Sequence, residues 1–361
     1  MKKLRVAIIG QGRSGLNIHG KFFRSEANTL VDVVAVVDAI EFRREKAKSI
    51  WNCDVYADFT ELYGRTDIDL VVNASYSHQH APITKELLLH GFNVLTEKPF
   101  GKTWTETQEL IRIAEQKNLV LAAFHQSLFA PNYTKFKELI NSGIIGKVHQ
   151  INLRYNGFAR RWDWQTLQCF CAGGLYNTGP HPFGIALDLL EWDPAVRVDY
   201  CHMDTILTSG DGDDYAKVIL GAPNRPVVDV EVDSADATSS YNFKALGSKG
   251  AITISGKNYK IRYIKEEELE ERSVIRESLK NEAGEPIYCG EKLNWYTEEG
   301  TVEGDAFNIG TGTFYQMMYD RIVNGKPLAI TPEMASEVIR VEEVCHAMAP
   351  LPVKFGMYDQ E

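Results

Sequence analysis

The sequence predicts an α/β module built on a doubly wound parallel sheet, followed by an α+β module with an open-faced, mainly antiparallel sheet. Three observations predict it. A glycine-rich turn, Gly10-Gln-Gly-Arg-Ser-Gly15, stands between a β-branched run and a helix-compatible segment, the context in which such a turn carries meaning. Buried-strand and helix patterns then alternate as far as Phe124, as a parallel sheet requires. From Lys147 the chain changes to short runs separated by turn signals, with few helices between them, which favours antiparallel pairing. A chain of 361 residues is long for one core and suggests two domains, placed at residues 1–125 and 126–361.

In chain order, Leu4 to Ile9 is the first strand, and a helix follows towards Phe23. Val31 to Val37 is the second strand, ending at Asp38, and Glu41 to Ile50 the next helix. Val55-Tyr56, a short helix at Phe59 to Tyr63, the strand Ile68 to Asn73 and the helix Ala81 to His90 continue the alternation. Asn93 to Leu95 is a buried strand that must end before Pro99, which has no N–H for a sheet ladder. Helix Thr105 to Lys117 and strand Val120 to Phe124 close the module. Beyond it, Val148 to Tyr155, Tyr215 to Leu220, Val227 to Val232, Tyr241 to Leu246 and Ala251 to Ser255 read as strands, with Ser248-Lys-Gly250 as a tight connection. Residues 265–300 read as strands or loops at the rim, and Phe314 to Asn324 and Pro332 to Ala347 as the last helices, Pro332 suiting a helix start. These last helices are candidates to pack back on the first domain.

Hydrophobic content of 44% and charged content of 24% are those of an ordinary globular protein. The 49 acidic and 39 basic residues give a net charge of -10, which opposes nucleic acid or an anionic membrane as the main partner. Six cysteines scattered along a long chain fit reduced thiols better than a disulfide framework. Cys169 and Cys171 find no second pair to complete a zinc site, so no metal is expected. The N-terminal apolar run is cut by Arg5 and too short for a signal peptide. Nothing approaches the roughly 18 apolar residues of a membrane span. A cytoplasmic protein is the expectation.

In the glycine turn, Gly10 permits the tight bend, Gly12 the approach of backbone to a pyrophosphate and Gly15 close packing of helix on strand, with Gln11, Arg13 and Ser14 lining the same loop. Asp38, at the tip of the second strand, fits the ribose hydroxyls of NAD and repels the extra phosphate of NADP. It also suits a helix N-cap, and the strand placement favours the ribose. Arg43 and Arg44 follow closely, which leaves NADP disfavoured rather than ruled out. Ser75 and His80 lie on a loop at a strand end on the same side, as candidate cofactor contacts, although a surface histidine with ordinary partners explains His80 nearly as well. Glu97 and Lys98 stand at the carboxyl end of a strand, where open α/β sheets bind ligands. The stretch Ala159-Arg-Arg-Trp-Asp-Trp-Gln165 leads to Ala172-Gly-Gly-Leu-Tyr-Asn-Thr-Gly-Pro-His181, whose glycines allow backbone to approach a ligand. Asn177 and His181 are one helical turn apart and face one point if that segment is helical. On pattern alone, His181 suits a structural role at a helix start as well as a catalytic one.

Together these residues resemble the Gfo/Idh/MocA oxidoreductases over essentially the whole chain. The resemblance rests on Gly10 to Gly15, Glu97-Lys98-Pro99, Gly173-Gly174 through His181, Leu246-Gly-Ser-Lys-Gly250 and Gly325-Lys-Pro-Leu328, in that order and spacing. It implies a Rossmann domain joined to an open-faced sheet domain, pairing sheet to sheet as a homodimer or homotetramer. It implies oxidation of a sugar or cyclitol hydroxyl, or reduction of the ketone, with NAD or NADP. Lys98 then matches the catalytic lysine and His181 the catalytic histidine. Asn177 stands where aspartate is common; an amide orients a hydroxyl but holds no negative charge. Gly184 stands where an Asp often follows the histidine, with Asp188 one turn beyond. Leu128-Phe-Ala-Pro131 departs from a segment that often begins with Arg; Arg160 and Arg161 are candidates to replace that charge, and a solvated surface pair explains them equally well.

The expectation is therefore an NAD-dependent dehydrogenase or reductase of a polyhydroxylated small molecule. His181 is the chief proton-transfer group, Lys98 bonds the same oxygen, Asn177 orients the substrate, and Arg160 and Trp164 supply further substrate contacts. The lysine and histidine roles are interchangeable at this stage. Glu97 fixes the loop, and Gln126 joins the cofactor contacts. Two alternatives stand beside it: a non-redox NAD-dependent epimerase or glycosidase, and a catalytically silent protein that senses sugar and NAD.

Overall fold

Leu4, Val6, Ala7, Ile8 and Ile9 are all buried, because the strand they form lies inside a sheet covered on both faces. The computed structural model describes residues 3–357. The first half runs β1 (Leu4–Ile9), α1 (Gly20–Phe23), β2 (Val31–Val37), α2 (Glu41–Trp51), β3 (Asp54–Tyr56), β4 (Leu70–Asn73), α3 (His80–Leu89), β5 (Val94–Thr96), α4 (Trp104–Gln116) and β6 (Leu121–Ala123). All strand pairs are parallel, in the order β3-β2-β1-β4-β5-β6. The order reverses at β1 and β4, and ligands of such sheets bind at that crevice, outside the carboxyl ends of the strands. Local signals set the boundaries. Thr103 caps α4 in a reciprocal box with Glu106, which satisfies two otherwise orphaned donors.

The second half comprises α5 (Pro131–Asn141), β7 (Val148–Asn156), α6 (Gly174–Asn177), α7 (Pro180–Leu189), β8 (Arg197–Asp204), β9 (Tyr215–Gly221), β10 (Val227–Asp233), β11 (Phe243–Gly247), β12 (Gly250–Ser255), β13 (Asn258–Tyr263), β14 (Tyr296–Thr301), α8 (Ala306–Asn324) and α9 (Pro332–Met348). Its eight strands are ordered β14-β13-β12-β11-β7-β10-β9-β8, and only β7 with β10 is parallel. One face packs on α5, α7 and α9: Tyr133, Phe136, Phe183, Ile185, Val338 and Val341 share a core with Ile151, Leu153, Val230 and Phe243. The other face is polar. There Arg154 and Lys217 pair with Asp229 and Glu231.

The last helices return to the first sheet. Phe314, Tyr315 and Met318 of α8 pack with Leu4, Ile8 and Phe22. Helix α9 divides its buried residues between two cores: Ala335 and Ile339 join Val71 and Val94, whereas Val338, Val341 and Cys345 join the second sheet.

Some elements differ from the sequence expectation. Helix α5 is additional; its Tyr133, Phe136 and Leu139 recur at the helical interval. Strand β8 is additional as well, an edge strand with little buried area and so a weak hydrophobic signal. Helix α8 begins at Ala306 rather than Phe314, because Gly310 and Gly312 dilute helix propensity there. The six cysteines are free thiols. Among the described residues, no helix is long and apolar enough to cross a membrane.

Candidate active site

The carboxyl ends of β1, β4, β5 and β6 bring four segments together: Gly10–Gly15, Ser75–His80, Glu97–Lys98 and His125–Gln126. Gly10 takes φ +87°, and a side chain on it would overlap the backbone of Ala74. A side chain on Gly15 would overlap the carbonyl of Gly10, whereas nothing lies within 4 Å of the point where Gly12 would carry one. The first two glycines are thus required by the fold. The third keeps a surface open, as a bound pyrophosphate would need. Asp38 is buried and holds the turn: Gln11 N–H donates to Oδ2 at 2.7 Å and Ile40 N–H to Oδ1 at 2.9 Å. Arg43 Nη1 lies 3.5 Å from Oδ2, and Arg44 donates to the carbonyls of Asp38 and Ala39. Gln11 Oε1 and Gln126 Oε1 are buried without a hydrogen-bond partner among the described residues. Buried acceptors left open at a glycine-rich turn fit a dinucleotide with hydroxyl and amide donors, so the residues present suit a nicotinamide cofactor.

His80 is placed differently from a cofactor contact. Its Nδ1 is 2.8 Å from the Pro99 carbonyl and its Nε2 3.2 Å from the Ser75 carbonyl. The buried ring lies between the loop after β4 and the segment after β5, its N–H able to donate to either carbonyl. Ser75 is held in turn by Asn73, its Oγ donating to Oδ1 at 2.7 Å.

Lys98 is the centre of the cleft. Its Nζ donates to the main-chain carbonyl of Asn177 and approaches that residue's Oδ1 at 3.4 Å. Burial pulls its pKa down, Glu97 opposes this, and the like charges of Arg13 and Arg161 add to it. Glu97 is itself buried, with Oε1 3.1 Å from His19 Nε2 and Oε2 accepting the Lys98 N–H at 3.1 Å. His181, on α7, lies near enough for the charge of Lys98 to act on it. Its Nδ1 is 3.2 Å from Ser127 Oγ, and Tyr155 stacks beside it with centroids 6.2 Å apart. Burial first, then Lys98 and His125, hold its pKa at about 3. It is therefore a neutral imidazole at neutral pH.

Asn177 and His181 do not share one helix. Asn177 ends α6 and His181 lies in α7, on either side of Thr178 and Gly179. Gln165 Nε2 donates to Asn177 Oδ1 at 3.2 Å, and Arg161 donates to Gln165 Oε1. The arginine joined to the cleft is thus Arg161, while Arg160 is exposed. Trp164 packs edge-on against Tyr76, centroids 4.8 Å apart, and ties the 160s loop to the loop after β4. Gly173 and Gly174 approach Asp213, not a ligand: a side chain on Gly173 would overlap the Asp213 carboxylate, which accepts the Leu175 N–H at 2.8 Å. Asp188 is occupied away from the cleft by Tyr133, by Lys137 at 2.6 Å and by Trp192 at 3.2 Å.

Sequence reasoning did not single out His125, Ser127, Tyr155 or Gln165. His125 follows β6 directly, so the strand-end rule that selected Lys98 would also have selected it. Its Nδ1 is buried without a partner, and burial, with Lys98 adding, holds its pKa at about 4.

Comparison with known proteins agrees with this geometry. Residues 4–125 match the model of an oxidoreductase family with an NAD-binding Rossmann fold, GFO/IDH/MocA, and residues 133–253 match the C-terminal domain model of that family. The chain is 29% identical over 180 residues to a 2,7-anhydro-N-acetylneuraminate hydratase of Mediterraneibacter gnavus, covering 49% of this chain and 47% of that protein. It is 25% identical over 215 residues to a scyllo-inositol 2-dehydrogenase (NADP(+)) of Bacillus subtilis, covering 55% of this chain and 59% of that one. The chain thus spans about half the length of these curated relatives. Among solved structures, GenD2 from gentamicin A biosynthesis in complex with NAD superposes with a TM-score of 0.76 at 20% identity, covering 97% of this chain and 95% of that one; at that identity the likeness is one of fold.

Proposed function

Because this chain belongs to the GFO/IDH/MocA oxidoreductase family, we propose that it moves a hydride between a nicotinamide dinucleotide and a CH–OH or ketone carbon of a sugar, cyclitol or related polyol. The observation that carries the reading is that the buried Lys98 amine at the end of β5 lies near enough to the His181 imidazole of α7 for its charge to act on the ring, both being biased by burial towards their neutral forms. A sugar hydroxyl is a poor acid, so loss of hydride from its carbon needs the proton taken at the same time. His181 takes it: Ser127 on Nδ1 leaves Nε2 for the substrate. Lys98 bonds the same oxygen, and Asn177, steadied by Gln165, orients it. The cofactor, when bound, supplies the hydride acceptor. Gly10, Gln11, Gly12, Arg13, Ser14, Gly15, Asp38, Ser75 and Gln126 would hold it.

NAD is the preferred form, since the buried Asp38 carboxylate stands at the tip of β2 with Arg43 turned onto it, while Arg44 is spent on the main-chain carbonyls of Asp38 and Ala39. In this reading residues 1–125 hold the cofactor, and residues 126–361 the substrate and a sheet-to-sheet homodimer or homotetramer, whose mass light scattering would give.

The test is absorbance of reduced nicotinamide while sugars, cyclitols and sugar acids are offered with NAD, then NADP. Each positive is repeated with Lys98→Ala and His181→Ala. A signal with NAD lost in both variants is the expected result; activity surviving both would place the chemistry elsewhere. A second reading, in which oxidation is transient and NAD returns unchanged, is favoured by the relative named a hydratase. Substrate turnover without net absorbance change would select it.

A further inference from the structure

Arg161, Gln165, Asn177 and Lys98 form one hydrogen-bonded row, from the loop after β7 to the end of β5. A side-chain amide can be turned either way round, and its neighbours decide which. Arg161 decides it here, since a guanidinium donates and never accepts. The Asp163 carboxylate holds that guanidinium, Nη2 donating to Oδ2 at 2.6 Å. Gln165 must therefore turn Oε1 towards Arg161, which leaves Nε2 to donate to Asn177 Oδ1 at 3.2 Å. Lys98 Nζ approaches the same Oδ1 at 3.4 Å. The Asn177 oxygen is spent on these two donors, and the amide turns its nitrogen to the rest of the cleft.

That nitrogen is uncommitted. Asn177 is only partly buried, and its Nδ2 donates to no group among the described residues. The two amide heteroatoms share one carbon, so Nδ2 stays beside Lys98 Nζ. The acceptors of the row are meanwhile taken: the Asn177 carbonyl by Nζ, Asn177 Oδ1 by Gln165 and Lys98, and Gln165 Oε1 by Arg161. A ligand group seated there meets N–H donors. A hydroxyl can accept from Nδ2, but its own proton then finds no acceptor in the row, and a proton left unpaired on burial is costly. A carbonyl or carboxylate oxygen carries no such proton. An aspartate in that place would show the opposite polarity and accept from a hydroxyl.

We propose that this row sets the class of substrate: a sugar or cyclitol derivative with a carbonyl or carboxylate oxygen close to the reacting hydroxyl, received by Asn177 Nδ2. Gln165 and Arg161 are positioning residues that fix the amide. The inference deepens the dehydrogenase reading and rests on Lys98 being the active-site amine.

The experiment is calorimetric titration of the full chain, with and without reduced nicotinamide dinucleotide. The ligands are methyl hexopyranosides, the matching hexuronides and the neutral methyl esters of those hexuronides, in the gluco, galacto and manno series. None carries an aldehyde or ketone to be reduced, so binding is read without turnover. Hexuronide and ester should both bind about tenfold tighter than the hexoside in at least one series. In Gln165→Glu, one carboxylate oxygen pairs with Arg161 and the other accepts from Asn177 Nδ2, so the amide turns over. The ester-to-hexoside ratio should then fall to one or below. Added charge alone would weaken the hexuronide and leave the ratio of the two neutral ligands unmoved. Gln165→Met, which removes the donor without adding charge, should bring the ratio towards one, and it carries the test should Gln165→Glu not fold. A wild-type chain that shows no preference for the carbonyl-bearing ligands, or binds none of the three, overturns the proposal. So does a preference that both variants leave in place. The preference found in a chain that reduces no NAD with any sugar would sink the dehydrogenase reading and keep this one.

Discussion

His19 Nε2 lies 3.1 Å from Glu97 Oε1, and the other ring nitrogen, Nδ1, lies 2.6 Å from the hydroxyl of Tyr315. This buried chain starts on α8, crosses the helical segment after the glycine turn and ends on the residue before Lys98. Helix α8 thereby helps hold the active-site loop of the first sheet, although the two are far apart in sequence.

The first prediction concerns this pair. Burial alone would raise the Glu97 pKa, but the bonds from His19 and the charge of Lys98 outweigh it and hold it at about 2. A carboxylate depressed in the fold contributes stability above its unfolded pKa of 4.5, lost as pH falls towards 2. His19→Ala leaves the charge buried without its partner and should cost on the order of 3–5 kcal/mol. Glu97→Gln should cost less and remove the stability loss between pH 4.5 and 2. Urea titrations across that range measure both. Equal losses in the two variants would show that the pair acts by packing alone.

A second expectation follows from the buried histidines. Burial, with Lys98 adding in the first two, holds His125 at about 4, His181 at about 3 and His346 at about 4, against 6.5 in the unfolded chain. For a base depressed in the fold, the unfolded state binds protons first, so its stability is complete above pH 6.5 and declines below it. Each should remove roughly 1–2 kcal/mol between pH 6.5 and 5. His346 is stacked on Tyr176, and His346→Gln should remove its share of that decline. A pH-independent melting temperature across this interval in wild type would contradict the burial seen here.

Two glycines in helical segments should respond in opposite ways to alanine. In α7 the missing Cβ of Gly184 would sit 3.5 Å from His125 Nδ1 and 3.9 Å from Leu128 Cδ1, ordinary contact distances. Gly184→Ala should therefore stabilise by about 0.5–1 kcal/mol through helix propensity. Gly15→Ala collides with the Gly10 carbonyl, so the turn must shift. It should lose most NAD affinity and several kcal/mol, on the order of a core overpacking. Calorimetric melting and NAD titration of both variants check the contrast.

How far these features are legible before folding depends on what each signal measures. The first sheet is plain because its strands are continuous apolar runs and its turn glycines have no cheaper substitute. Gly173 and Gly174 carry the same residue type for another reason, to seat Asp213, and no local pattern separates backbone near a ligand from backbone near a carboxylate. His125 was within reach of the strand-end rule. Glu342 was visible as a charge at a buried helical position, since 335, 338, 339, 342 and 345 form one stripe. Arg161 and Arg160 are adjacent and chemically identical, so only loop geometry chooses between them.

The last prediction tests the amide beside the lysine. Lys98 Nζ holds chiefly to the main-chain carbonyl of Asn177, with the side-chain Oδ1 at 3.4 Å. Asn177→Ala keeps that carbonyl and should lower kcat by only about tenfold, within the range for one positioning contact. Lys98→Ala removes the amine and should cost more, about 100- to 1,000-fold, the range for a group that stabilises charge on the reacting oxygen. Asn177→Asp is the sharper probe. A carboxylate there favours the ammonium form of Lys98, against the lowering that burial now imposes. The fraction of neutral amine at a given pH falls, so the acid limb of kcat/KM for alcohol oxidation should move to higher pH. Carbonyl reduction, which uses the protonated form, should gain at the same pH. A pH–rate profile unmoved by Asn177→Asp would mean that the ionisation of Lys98 does not govern turnover, and His181 alone would carry the proton.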